Sequence, residues 1–333
     1  MCTVLIFHKF HPLIALVGCL CVAWFVQGCS KPSNVETALN ENILHFGLGA
    51  EPQHLDPHLA TSVAAHNILS ALLEGLVSEH PETLKPVPGV AQRWEKLEEG
   101  KTYLFHLREN ALWSNGDPVT AHDFVYSFRR ILNPNLGAQY ASMLHPLKNA
   151  KLYHEGKKSW EEANVGAEAI DNYTLKITLE HPIPYFLELL NHYSWFPVHR
   201  PTLEKFDAFE KMGTPWTKPG NFVSNGPFQL IEHQINSVIA VGKNEGYWDA
   251  SSVRLEGIRF YPIESVDTEE RAYRAGFLHL TQSVSADRID YLKEKYPDEL
   301  HFEPYLGTYF YRFNLKSPPF DDLRVRQAFS LAI

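Results

Sequence analysis

Residues 88–130 read "PGVAQRWEKLEEGKTYLFHLRENALWSNGDPVTAHDFVYSFRR", and three local signals follow one another within them. "TYLFHLREN" alternates apolar and polar side chains, the period of a strand with one buried face. Trp113-Ser114-Asn115-Gly116-Asp117-Pro118 is turn chemistry, because Asn-Gly tolerates positive φ and Pro118 fixes the exit. "TAHDFVYSFRRIL" (120–132) is then a helix, opened by Thr120 as N-cap with Asp123 at the third helical position. That is a capping box with Asp in place of the usual Glu. Strand, turn and amphipathic helix in so short a space argue for a mixed α/β domain.

The same signals recur on either side. "ILHFGLG" (43–49) and "TLKITLE" (174–180) alternate as strands, and "VIAVGKNEGYW" and "RLEGIRFYPI" are strands around turns. "SVAAHNILSALLEGLVS" (62–78) places Ala65, Ile68, Leu69 and Leu72 at helical spacing and is expected to stay helical until Gly75 or beyond. "EERAYRAGFLH" starts a helix that stops at Gly276. The elements lack the strict alternation of a doubly wound sheet, so the fold class is α/β of mixed α+β type with more than one lobe. "PPFDDLRVRQAFSLAI" opens a last helix whose apolar face is Leu323, Val325, Ala328, Phe329 and Ala332. The sequence stops inside that face without a capping glycine, polar turn or proline, and reads as truncated.

The other end carries a different message. Cys2, Cys19, Cys21 and Cys29 are the four cysteines, and none follows Cys29. Lys9 precedes "LIALVGCLCVAWFV" (13–26), a run of fourteen apolar or glycine residues. A short positive region, an apolar core and a small residue at its border describe an export signal. Val26-Gln27-Gly28-Cys29 has the form of a lipobox, in which Cys29 takes a diacylglyceryl group and becomes the mature N-terminus. Residues 1–28 are thus a lipoprotein signal peptide, and the polar stretch 29–42 is a tether to an extracytoplasmic domain held at the membrane by lipid.

Composition narrows the function. A formal net charge of −9 disfavours nucleic acid, whose binding rests on Lys and Arg neutralising phosphates. Thiol-free residues beyond 29 exclude cysteine nucleophiles and Cys-based zinc sites. No G-x-S-x-G, P-loop, G-x-G-x-x-G or HExxH is present, so no catalytic residue, cofactor or resident metal is nominated and the protein is expected not to be an enzyme. His54, His58 and His66 lie close in sequence, but Pro57 interrupts the first pair, and the 17 histidines read as scattered on the surface. Asn225 in "NGPF" is either a turn residue or part of a cleft wall. Tyr247-Trp248 is either core packing or a pocket wall.

"EPQHLDPHLA" (51–60), residues 72–134, "SNGPFQLIEH" (224–233), "KNEGYWDA" (243–250) and "YFYRFNLKSPPFDDLRVRQAFSLAI" (309–333) together resemble the solute-binding proteins of ABC peptide importers, family 5, over their N-terminal portion. The resemblance implies a type II periplasmic-binding-protein-like fold of two lobes with an extra subdomain. Residues 43–75 and 200–303 would form the first lobe, 76–199 the additional α+β subdomain, and 304–333 the start of the second lobe, entered through "YLGTYFYRFNL" as a hinge strand. It implies no enzyme, but a monomeric lipoprotein that captures oligopeptides in an interlobe cleft and delivers them to the permease subunits. A dipeptide, a nickel chelate or, far behind, the substrate of an exported hydrolase are the other cargoes. Peptide contacts are implied for Thr61 and Val63 in "ATSVAA", for Tyr140 in "AQYASML", and for Thr281 and Gln282 in "TQS". Relatives often carry an acidic residue where Thr61 stands, so a charge preference tied to that position does not transfer.

Overall fold

The computed structural model describes residues 32–304 and 307–333, and the chain divides into two compact units at Val284/Ser285. Cys29 and residues 1–28, expected from the sequence to be an export signal, lie outside the described residues. The first unit is organised by two four-stranded sheets. One contains β1 (Ile43–Gly47), β8 (Phe228–Gln234), β9 (Val238–Lys243) and β10 (Gly257–Tyr261) in the order β1-β10-β9-β8. β1 lies parallel to β10, Ile43 facing Gly257, and the other pairings are antiparallel. The second contains β4 (Ala91–Leu97), β5 (Thr102–Leu107), β6 (Ala167–Asp171) and β7 (Thr174–Thr178) in the order β4-β5-β7-β6, antiparallel throughout. A short ribbon pairs β2 (Val77–Glu79) with β3 (Pro86–Pro88). One continuous apolar core runs from Leu48 to Phe260 through both sheets.

The expected turn and helix at 113–131 are present. Trp113 and Asp117 close the turn through a 2.8 Å backbone bond, with Gly116 at φ +91°. The next labelled helices are α1 (Asn34–Glu41), α2 (Val63–Leu72) and α3 (Ala121–Ile131). At the start of α3 the Asp123 carboxylate accepts from both the Thr120 backbone N–H (2.8 Å) and the Thr120 hydroxyl (2.9 Å). α4 (Val266–Arg274) begins at its Ser265 cap, three residues earlier than the sequence suggests, and is followed by Gly276 at φ +70°.

Several expectations meet a different local structure. Residues 34–41, within the stretch expected to be a tether, form a helix packed within the first unit: Ser33 and Glu36 form a reciprocal capping box, Ala38 is buried, and Val35 N–H bonds to Gly276 O. α2 ends at Leu72 rather than beyond Gly75, because its last backbone groups are taken by a distant turn described below. The two compact units divide at Val284/Ser285, whereas the sequence leads one to expect a first lobe running to 303. Residues 289–295 instead form α5 (Ile289–Lys295) in the second unit, with Lys293 over the Phe302 ring. Residues 307–314 contain no assigned strand, since a strand needs a partner ladder and none pairs with them among the described residues. The last helix, α6 (Leu323–Ala332), forms as expected. Phe313, Phe320 and Phe329 pack together there, while Leu331 remains 88% exposed.

Candidate functional site

The sequence-selected residues gather around the two ends of α2. Its apolar side, Ala64, Ala65, Ile68, Leu69, Ala71 and Leu72, is buried, and each Leu or Ile so buried contributes about 1.5–3 kcal/mol. The helix is therefore a fixed post. Ser62 caps it by accepting from Ala65 N–H at 3.2 Å, which leaves Val63 at the first helical position with 60% of its surface exposed. The Val63 N–H is one of the first-turn donors that a helix leaves without an intrahelical acceptor.

Thr61, Val63, Tyr140 and Gln282 converge at this N-terminal end. Asn67, one turn into α2, donates to Gln282 Oε1 at 3.2 Å, and Gln282 N–H donates to Glu269 at 3.2 Å. Tyr140 packs edge-on against His192, with ring centroids 5.3 Å apart, and beside Tyr193. The Tyr193 hydroxyl donates to Ala60 O at 3.1 Å, tying this aromatic wall to the segment that carries Thr61. His66 also lies against Tyr193. Burial holds His192 down to about 4, with His66 adding to the effect, and burial also lowers His66. At neutral pH the wall is uncharged. Thr281 is half-buried and follows Leu280, which bridges to Phe46 of β1.

Asn225, Tyr247 and Trp248 sit at the other end, and the structure corrects the reading of Asn225. It is 2% exposed, and its amide clasps the Glu74 backbone, accepting from N–H at 3.0 Å and donating to C=O at 2.9 Å. Gly226 N–H takes Leu72 O at 3.0 Å. A side chain at Gly226 would meet the Leu72 carbonyl carbon at 2.8 Å, so only glycine permits the approach. This turn, not local propensity, stops α2. Asn225 is a clasp and lines no cleft.

The Tyr247 hydroxyl and Trp248 Nε1–H both donate to Glu74, at 2.6 and 2.7 Å to separate carboxylate oxygens. Their polar ends thus serve Glu74, while Tyr247 also borders a cavity. Burial pushes the Glu74 carboxyl up to about 7, against the lowering by these two bonds and by Arg108. Arg108 stacks 3.6 Å from the centre of the Trp248 ring. Sequence reading missed Glu74 because its meaning depends on residues far along the chain.

A second buried cluster stands beneath the segment leading to Thr61. Arg130, 0% exposed, makes a two-pronged contact with Asp56 (2.9 and 2.6 Å) and donates to Ala208 O and to His58 Nδ1. Because Arg only donates, His58 Nδ1 is the acceptor and Nε2 carries the proton. Burial and Arg130 together hold His58 near 3. The expectation of surface histidines is therefore wrong for His58, as it is for the buried His45 and His199. Among the described residues, no three His, Cys, Asp or Glu side chains converge to hold a metal.

Against known proteins, a model of the bacterial extracellular solute-binding proteins, family 5 (middle region), matches residues 85–333. The chain belongs to this family. It is 39% identical over 321 residues to the periplasmic oligopeptide-binding protein OppA of Salmonella typhimurium, covering 96% of this chain and 57% of that one. Among solved structures it is similar to Haemophilus influenzae OppA in complex with the peptide RPPGFSPFR (TM-score 0.82, 38% identity, 87% of this chain and 56% of that one). It is likewise similar to the Escherichia coli murein tripeptide binding protein MppA (TM-score 0.82, 35% identity, 87% and 55%). The mixed α/β architecture is thus that of the family, and the chain spans little more than half the length of the relatives it matches.

Proposed function

We propose that this chain supplies one wall of the peptide-binding cleft of an extracytoplasmic ABC-importer receptor, which captures oligopeptides and hands them to membrane permease subunits. The observation that carries the reading is the half-buried turn at Thr61–Ser62 leading to the exposed Val63, rigidly mounted on α2 near the Tyr140 wall, in a chain of this family. An extended peptide laid along such a turn binds through main-chain hydrogen bonds that every sequence offers, and Gln282 and the neutral Tyr140–His192 wall border the same place. In this reading Thr281 flanks the peptide, Cys29 carries the lipid anchor, the protein works outside the cytoplasm as a monomer, and it performs no chemistry on its cargo.

The test supplies a second wall. Residues 43–333 are fused to the part of the Salmonella relative that lies beyond the matched length, and tri- to pentapeptides are titrated calorimetrically. Micromolar binding is expected, with the peptides recovered intact, and Tyr140→Ala should weaken it while leaving the fold unchanged. The 333-residue chain alone should bind far more weakly. Association carries an entropic penalty of about 4–15 kcal/mol, while micromolar affinity needs about −8 kcal/mol. A folded fusion that ignores peptides, or one that returns fragments, would overturn the proposal.

A further inference from the structure

A cavity of about 300 Å³ opens beside the C-terminal half of α2. His66 and Ser70 line it from one face of the helix, Glu74 from the overhang, and Glu79, Asn191 and Tyr247 from neighbouring segments. Among the described residues that line it there is no Lys or Arg. The charged groups that do reach Glu74 are Arg108, stacked on the Trp248 ring, and Asp249, which opposes it.

Glu74 is 8% exposed, and its two oxygens accept one hydrogen bond each, from Tyr247 and Trp248. An ionised carboxylate offers about four acceptor positions, so roughly half of its capacity is unused. Both bonds come from neutral donors. A carboxylate withdrawn from water without a full counter-charge is unfavourable, and a cation brought to it relieves that deficit. Glu79 adds a second negative charge at the rim, and the Ser70 hydroxyl and Asn191 amide add hydrogen-bonding partners. The volume is at the lower end of cavities that hold small molecules, about 300–1,000 Å³.

We propose that this cavity binds a small free organic cation of guanidinium or primary-ammonium type, its charged end on Glu74 and its stem along Leu73 and Phe196. His66, which lies against Tyr193 of the aromatic wall, also borders this cavity, but the proposal does not depend on the peptide reading. Charge-assisted bonds to a buried carboxylate are the strong kind, and the ligand replaces the missing counter-ion.

The probe is agmatine, added to the full chain while the Trp248 Nε1–H resonance is followed by NMR, with sodium chloride of equal ionic strength as control. A saturable shift is expected, weakened at least tenfold in Glu74→Gln. Ser70→Arg carries a guanidinium into the cavity in cis; it should abolish agmatine binding and raise Tm. Ser70 is exposed on a helix, so this variant decides the matter even where Glu74→Gln fails to fold. No saturable shift, an equal shift with sodium chloride, or undiminished agmatine binding by Ser70→Arg would each overturn the proposal.

Discussion

Replacing Asp56 by Ala removes the counter-charge of a guanidinium that has no access to water. Arg130 is 0% exposed, and among the described residues the two contacts to Asp56, at 2.9 and 2.6 Å, are its bonds to an anion. Breaking one side of a buried ion pair destabilises by about 3–5 kcal/mol, because the remaining charge stays buried and unpaired. Bonds to Ala208 O and His58 Nδ1 stay in place, as does the Trp216 ring 5.8 Å away, so the lower half of that range is expected. With a urea m-value of about 1–3 kcal/mol/M, the unfolding midpoint should fall by about 1 M or more, at unchanged m. The double variant Asp56→Ala/Arg130→Met removes both charges and should recover most of the loss, since an apolar replacement for a buried pair is often neutral. Urea titrations of the three proteins, followed by tryptophan fluorescence, check this. A single variant within 1 kcal/mol of the parent, or a double variant no better than the single, would refute the buried-charge account.

Three further outcomes are expected. The Glu74 carboxyl is raised in the folded state, so the folded protein binds the extra proton. Its contribution is full below the ordinary carboxylate range and is lost as pH rises towards about 7; at most roughly 3 kcal/mol should disappear between pH 5 and 7, and Glu74→Gln should flatten that slope in denaturation curves taken across pH. Ser62→Ala deletes the α2 cap and should cost about 1 kcal/mol, with faster amide exchange confined to residues 63–66; uniform exchange changes would count against a local cap. Cys29→Ala should abolish lipid labelling and release the protein from membranes in fractionation, and labelling that survives would sink the anchor assignment.

What the sequence disclosed was local. Thr120 and Asp123 stand three residues apart, and the helix they open follows from that spacing alone. The alternation in 102–107 and 174–178 likewise reports each strand's own buried face. Residues 62–78 misled because nothing within them records that Asn225 and Gly226 will claim the backbone at Leu72 and Glu74. The polar composition of 30–42 concealed the Ser33–Glu36 box, whose signature is there to be found. Asn225 itself is a turn residue by type, and only its burial distinguishes a clasp from a cleft wall. Asp56, His58 and Arg130 look unremarkable apart and acquire meaning once the fold buries all three. Thr61, Val63, Tyr140 and Gln282 came from family resemblance; the fold brings them to one end of α2, a proximity that no periodicity encodes.

The parallel pairing of β1 with β10 has a consequence for the order in which the chain can acquire its structure. Ile43 meets Gly257 and Gly47 meets Tyr261, whereas β4 and β5 are joined by a few residues and β5 in turn pairs with β7, Thr102 facing Thr178. Short-range hairpins close in about 1–10 µs, while distant pairings bear a loop-closure entropy before any contact rewards it. The antiparallel sheet of 91–178 should therefore assemble during synthesis, and β1 must wait, its apolar Ile43, Leu44 and Phe46 unsatisfied, until β10 emerges. That interval is when the chain is most exposed to aggregation and to holdase chaperones. A fragment that stops short of Tyr261 never leaves it, because the strand that seats β1 has not been made.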